Sequence, residues 1–170
     1  MALQKITLIL GGASSGKSAH AEGLIAASGL ARVYVATAQA FDREMEAKIA
    51  RHRVARGPGW RTIEAPLDPA AALETVKPDE AVLLDCATLW LSNVMLAGEE
   101  VGPAEDRLLA AILGCAGSVV VVSNETGLGI VPETPLGRRF RDAQGRLNQR
   151  LAAAADRVVV VMAGLPLVLK

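Results

Sequence analysis

Five short apolar runs recur along the chain: Ile6–Leu10, Val33–Ala36, Ala81–Leu84, Val119–Ser123 and Val158–Met162. They are rich in Val, Leu and Ile and nearly continuous, which is the pattern of strands covered on both faces. Helical stretches separate them: Ser18–Ala27, Asp42–Arg56, Asp68–Val76, Thr88–Leu96, Ala104–Cys115 and Leu136–Ala155. In the second, Met45, Ile49 and Val54 share a side; in the last, Phe140, Leu147 and Leu151 mark the apolar stripe. Strands alternating with helices predict βα units and a mostly parallel sheet. The tail breaks the rhythm. Val158–Ala163, Gly164-Leu165-Pro166 and Leu167–Leu169 predict a strand and a short return strand, an antiparallel edge.

Gly57-Pro58-Gly59 and Ala97-Gly98-Glu99-Glu100 mark exposed loops. No repeat, low-complexity tract or linker interrupts the pattern, so residues 1–170 read as a single domain. Hydrophobic residues make up 51% of the chain and aromatics only 3%, so the core is built from aliphatic side chains. Eighteen basic residues balance eighteen acidic ones, which argues against nucleic-acid binding through bulk charge. Cys86 and Cys115 lack metal-ligand spacing and read as small buried hydrophobes in a reducing compartment. The N-terminus does not resemble a signal peptide, and the longest apolar stretch, 158–169, is too short to span a membrane. A cytoplasmic protein is expected.

The chemistry starts at the end of the first run. Residues 11–18 read Gly-Gly-Ala-Ser-Ser-Gly-Lys-Ser, the G-x-x-x-x-G-K-[ST] pattern between a strand and a helix. Gly11, Gly12 and Gly16 let the loop, with Ala13, Ser14 and Ser15, curl its backbone N–H groups around phosphate oxygens. Lys17 reaches the β- and γ-phosphates, the Ser18 hydroxyl is placed to ligate Mg²⁺, and the helix dipole adds to the attraction. Asp85, at the tip of the third run, supplies the acid that holds Mg²⁺ directly or through water. The fold class that follows is α/β and P-loop NTPase-like.

Other candidates are less specific. Asn124-Glu125-Thr126-Gly127-Leu128-Gly129 follows the fourth run, where ligand crevices form in parallel sheets. Glu125 can bind Mg²⁺-bound water or a substrate hydroxyl, or the segment can be a Gly-rich turn. His20 reads as structural. His52 lies among Arg51, Arg53 and Arg56, either on a solvated basic helix or on a phosphate-handling surface. In the second case the neighbouring cations disfavour the imidazolium, and a neutral imidazole can attack phosphorus. The 136–155 helix carries Arg138, Arg139, Arg141, Arg146 and Arg150 and can clamp an anion, contact another subunit or simply face solvent.

Taken together, these residues resemble the bifunctional adenosylcobinamide kinase / adenosylcobinamide-phosphate guanylyltransferase family of cobalamin biosynthesis. The likeness runs from Gly11–Ser18 through Val35-Ala36-Thr37-Ala38, Glu44-Met45 with His52 and Arg56, and Trp60–Glu64. It continues through Leu83–Cys86 with Thr88-Leu89-Trp90, Ser123-Asn124-Glu125, Gly129–Glu133, Arg139–Asp142, Gly145-Arg146, Asn148-Gln149 and Ala163–Pro166. The resemblance implies two reactions. ATP or GTP phosphorylates the aminopropanol hydroxyl of adenosylcobinamide; GTP then donates GMP to that phosphate through a guanylyl-histidine, giving adenosylcobinamide-GDP and pyrophosphate. His52 matches the histidine. The family's nucleotide contacts match Gly11–Ser18, Ala36, Thr37, Ala38, Arg53, Val54, Ala55, Arg56, Glu64 and Asp85. Members often carry Arg where this loop has Ser14, and members form homotrimers. The competing expectation is a P-loop kinase for another small hydroxylated metabolite, with no covalent intermediate.

Overall fold

The computed structural model describes residues 3–39, 43, 50, 54 and 56–170. Seven strands form one sheet: β1 (Ile6–Gly11), β2 (Ala31–Ala36), β3 (Trp60–Glu64), β4 (Glu80–Asp85), β5 (Ser118–Asn124), β6 (Arg157–Met162) and β7 (Leu165–Val168). The helices described are α1 (Lys17–Ser28), α2 (Pro69–Glu74), α3 (Ala87–Leu96), α4 (Val101–Gly114) and α5 (Pro135–Ala154). The strand order is β3-β2-β4-β5-β1-β6-β7. All pairs are parallel except β6 with β7, which pair antiparallel as the tail predicted. The helix expected over 42–56 falls largely outside the described residues.

Alternation along each strand divides two cores. Val119 and Val121 join Leu8, Val33, Val82 and Leu84 on the face covered by α2, α3, α4 and α5. Val120 and Val122 join Ile9, Leu83 and Val159 on the opposite face, against Ala21 and Ile25 of α1. Each central strand is therefore apolar on both sides, the reason its sequence runs rather than alternates.

β3 was not expected as a strand. Its residues are Trp-Arg-Thr-Ile-Glu, and only Ile63 and Trp60 are half-buried. An edge strand has one hydrogen-bonded neighbour, and the pairing Arg32↔Trp60 to Ala36↔Glu64 outweighs a weak apolar signal. The β6–β7 turn places Ala163 and Gly164 at positive φ, 51° and 78°, as a two-residue hairpin of this hand requires.

Candidate nucleotide site

The parallel register brings the strand tips to one level: Gly11 opposes Asn124 and Val161, Ala36 opposes Glu64 and Asp85. The tips open into a cavity of about 470 Å³ lined by the loop residues Ala13–Ser18 with Tyr34, Ala38, Asp85, Cys86, Leu89 and Asn124. Most of the residues read as phosphate- and metal-binding therefore share one cavity, although Asp85 lies about seventy residues beyond the loop in sequence.

The loop is shaped by its glycines and by what lies behind it. Gly16 caps α1 with φ 94°, and its Cβ would stand 3.3 Å from Gly164 Cα. Gly164 N–H in turn donates to Ser15 O at 2.9 Å. A Cβ on Gly11 would meet Val161 O at 2.7 Å as well as the Ser15 hydroxyl. The hairpin turn thus backs the phosphate loop; the Val161 backbone excludes a side chain at Gly11, and one at Gly16 is crowded by Gly164 and strained by the positive φ. Lys17 Nζ donates to Gly12 O at 2.9 Å, which holds the ammonium along the loop.

Across the cavity, Tyr34 Oη donates to Asp85 Oδ2 at 3.2 Å. Burial, reinforced by the Asp85 charge, pushes the Tyr34 phenol far above its ordinary value, so it stays a donor. The Arg56 guanidinium lies 3.4 Å from the Tyr34 ring centroid and 6.0 Å from that of Trp60. Trp60 meets Tyr34 edge-on at 6.3 Å. Burial raises the Glu22 carboxyl; Arg56 opposes that shift and Asp85 adds to it, the same two charges that act on Tyr34. Of the residues matched to the basic segment, Arg56 is thereby engaged with this aromatic pair, and Val54 is 81% exposed. His52, Arg53 and Ala55 lie outside the described residues.

The adjoining tips are braced by α3. Asn93 Nδ2 donates to Thr37 O at 2.8 Å and to Pro66 O at 2.9 Å, tying the loop after β2 to the loop after β3 and Glu64. Thr37 Oγ1 donates to Cys86 O and accepts from Cys86 N–H, both at 2.8 Å. Burial, with Asp85 adjacent, raises the Cys86 thiol to about 11, so it stays protonated. Its Sγ accepts from Leu89 N–H and caps α3. Cys115 is also buried and reduced, as expected.

Three expectations are narrowed. Glu125 Oε1 accepts from Gly127 N–H at 3.0 Å, which favours the turn reading of that carboxylate over metal binding. Arg138 donates to Pro132 O and Glu133 O, and Arg150 donates to Glu105 and Asp106 of α4. Two of the five arginines on α5 are thus structural. His20 is half-buried, and burial with the Arg157 charge lowers its imidazole, in line with a structural role.

The sequence marks Thr88 and Asn148 only through the family resemblance, and it does not mark Tyr34, Gln144 or the Asn124 side chain. Asn124 N–H donates to Thr88 Oγ1 at 2.7 Å, and Asn124 O accepts from Asn148 Nδ2 at 3.0 Å. Gln144 Nε2 donates to Ser123 Oγ and to Asn148 Oδ1, both at 2.9 Å. The available signal was a polar residue ending a continuous apolar strand, the same signal that marks Asp85.

A glycine-shaped loop, its lysine, and an acid at the tip of the strand two places away in the same sheet define a P-loop nucleotide-binding protein, and solved structures agree on the fold. The flagellar accessory protein FlaH from Methanocaldococcus jannaschii superposes with a TM-score of 0.54 at 14% identity, covering 99% of this chain and 80% of that one. The family model described as "Cobinamide kinase / cobinamide phosphate guanyltransferase" matches residues 7–169, and the chain belongs to that family. Bifunctional adenosylcobalamin biosynthesis protein CobP of Pseudomonas aeruginosa is 48% identical over 166 residues, 96% of each chain. Bifunctional adenosylcobalamin biosynthesis protein CobU of Salmonella typhimurium is 44% identical over 180 residues, 96% of this chain and 98% of that one.

Proposed function

We propose that the protein carries out both reactions of its family: phosphorylation of adenosylcobinamide by ATP or GTP, then transfer of GMP from GTP to the product through a guanylyl-histidine at His52. The observation that carries this reading is 48% and 44% identity to two bifunctional relatives over nearly the whole chain, with the phosphate loop, Lys17 and Asp85 gathered at one cavity. Family membership favours cobinamide over the competing expectation of a kinase for another small hydroxylated metabolite.

In the kinase step the N–H groups of residues 11–18 and the Lys17 ammonium offset charge on the phosphates. Ser18 and Asp85 line the same cavity and are oxygen donors, a set that suits Mg²⁺, which typically keeps several waters and substrate phosphates among its ligands. When bound, Mg²⁺ supplies charge neutralisation across the phosphates. Tyr34 holds one oxygen of Asp85 and leaves the other, Oδ1, directed by that bond. In the guanylyl step, His52 nitrogen bonds to the α-phosphorus as its bond to the bridging oxygen breaks and pyrophosphate leaves. The cobinamide phosphate oxygen then displaces the imidazole. The active species is a homotrimer in the cytoplasm, and residues 1–170 act as one domain.

The test is a label-trapping experiment. Protein incubated with Mg²⁺ and GTP labelled at the α-phosphate is denatured and assayed for retained label. Acid-labile, alkali-stable label in the wild type, lost in His52→Ala, is the expected result. Nucleotide binding without any label would refute the covalent step.

A further inference from the structure

We infer that the tip of β5 and the loop it feeds, Asn124 to Val131, form the seat for the corrinoid acceptor of the kinase step. Asn124 orients the attacking hydroxyl, and Leu128, Ile130 and Val131 take an apolar face of the macrocycle. The inference rests on the function proposed above and assigns its acceptor site.

Strand order makes the first part of the case. β5 lies between β4, which ends in Asp85, and β1, which ends in the phosphate loop. Its last residue therefore stands between the acid and the phosphate cradle, beside the terminal phosphate that Lys17 would hold. Asn124 lines that cavity. Its backbone is held on both sides, by Thr88 and Asn148, and Glu125 N–H donates to Gly11 O at 3.1 Å. Its side-chain oxygen is nevertheless buried with no hydrogen-bond partner, and so is Thr126 Oγ1 two residues on. A buried acceptor atom left unpaired is unfavourable unless a ligand completes it. A rigid backbone carrying an unpaired amide is the arrangement expected of a group that orients a substrate hydroxyl.

The loop beyond makes the second part. Leu128 is 88% exposed, Ile130 96% and Val131 56%. Three large apolar side chains within four residues are an unusual surface. They sit on the segment that leaves the cavity directly from the phosphate end. An acceptor whose hydroxyl reaches the terminal phosphate must leave the rest of its bulk over the neighbouring loops. A corrinoid combines apolar ring edges with amide arms and suits a surface of apolar side chains interspersed with backbone polar groups.

The step balances without a new co-reactant. The acceptor oxygen bonds to the γ-phosphorus, the phosphorus bond to the β,γ-bridging oxygen breaks, and nucleoside diphosphate leaves. The hydroxyl proton passes to solvent. A half-turn of the Asn124 amide about its Cβ–Cγ bond presents its oxygen to that hydroxyl, which donates to it, and the amide takes no proton.

Full-length wild type, Asn124→Ala, the double variant Leu128→Ser/Ile130→Ser and a remote control, Leu113→Ser on α4, are compared for cobinamide phosphorylation at saturating ATP. Nucleotide affinity and solution mass are measured on the same samples. For the double variant, KM for cobinamide should rise about tenfold while nucleotide affinity changes less than about twofold and mass is unchanged. For Asn124→Ala, kcat should fall about tenfold to a hundredfold at near-wild-type nucleotide affinity. An unchanged KM in the double variant, or a loss of solution mass that accounts for the change, overturns the seat; the second outcome makes the loop a contact between copies. Unchanged kcat in Asn124→Ala overturns the orienting role. Wild type that binds nucleotide but never phosphorylates cobinamide overturns the proposed function, and the seat with it.

Discussion

The two ends of the parallel strands differ in how completely their polar groups are paired. At the amino-terminal ends charges are neutralised by nearby backbone. Lys5 Nζ donates to Cys115 O, Ala116 O and Gly117 O at 2.7, 2.7 and 2.8 Å. Asp156 accepts from Ile6 N–H at 2.9 Å. Glu80 accepts from Lys77 N–H and from Arg61, and Lys170 Nζ donates to carbonyls at the end of α5. At the carboxy-terminal ends Ser15 Oγ, Asn124 Oδ1 and Thr126 Oγ1 are buried with no partner. Thr7 Oγ1, on β1, is an exception on the other side. Both ends use polar groups to hold the sheet together; the carboxy-terminal end carries unpaired ones at the cavity as well. Stability and function can therefore be broken separately, at opposite ends of the same strands.

The largest expected effect at the ligand end is Lys17→Ala. Both reactions should fall by about a hundredfold to a thousandfold, because a charge aimed at the phosphates is removed. Steady-state kinetics with each half-reaction measured alone checks this, and the melting temperature should not fall. Next is Gly16→Ala. The φ of 94° and the Gly164 backbone at 3.3 Å leave an added Cβ strained and crowded. A cost of about 1–2 kcal/mol is expected, concentrated in nucleotide affinity because the loop must shift away from Gly164. Nucleotide titration and thermal unfolding together separate the two.

Glu80→Gln probes the other end. Burial by itself would raise this carboxyl, but the Lys77 N–H and Arg61 hold it below its ordinary 4.5. A depressed folded-state value contributes stability that is present above about pH 4.5 and is lost as pH falls through the folded value. The variant should lose about 1 kcal/mol near neutral pH, or about 2–4 °C in Tm, and show a shallower acid limb, with kinase turnover intact. A loss of turnover at unchanged stability would break the division between the ends. The smallest effect is expected from Tyr34→Phe. It removes one hydrogen bond to Asp85 but keeps the ring under Arg56, so a change of about threefold to tenfold in Mg²⁺-dependent turnover is expected.

Much of this was legible in the residue order. The phosphate loop is contiguous, and its glycines, lysine and serine carry their chemistry locally. The five central strands are apolar on both faces, so each announced itself as an unbroken run. Asp85 stood out because a charge ending such a run has nowhere to go but the strand tip. β3 was not legible, because its strand state comes from pairing with β2 rather than from its own apolar content. Nor were the roles of Asn93 and Asn148, which act on carbonyls 56 and 24 residues away.

The order of residues thus settled the ligand class, the fold and the family, since those depend on local backbone chemistry and on which faces are apolar. Only the folded chain decided which strand lies between the phosphate loop and the acid. Insertion of β5 between β4 and β1 is a matter of long-range hydrogen bonding, and it alone puts Asn124 where a substrate hydroxyl would arrive.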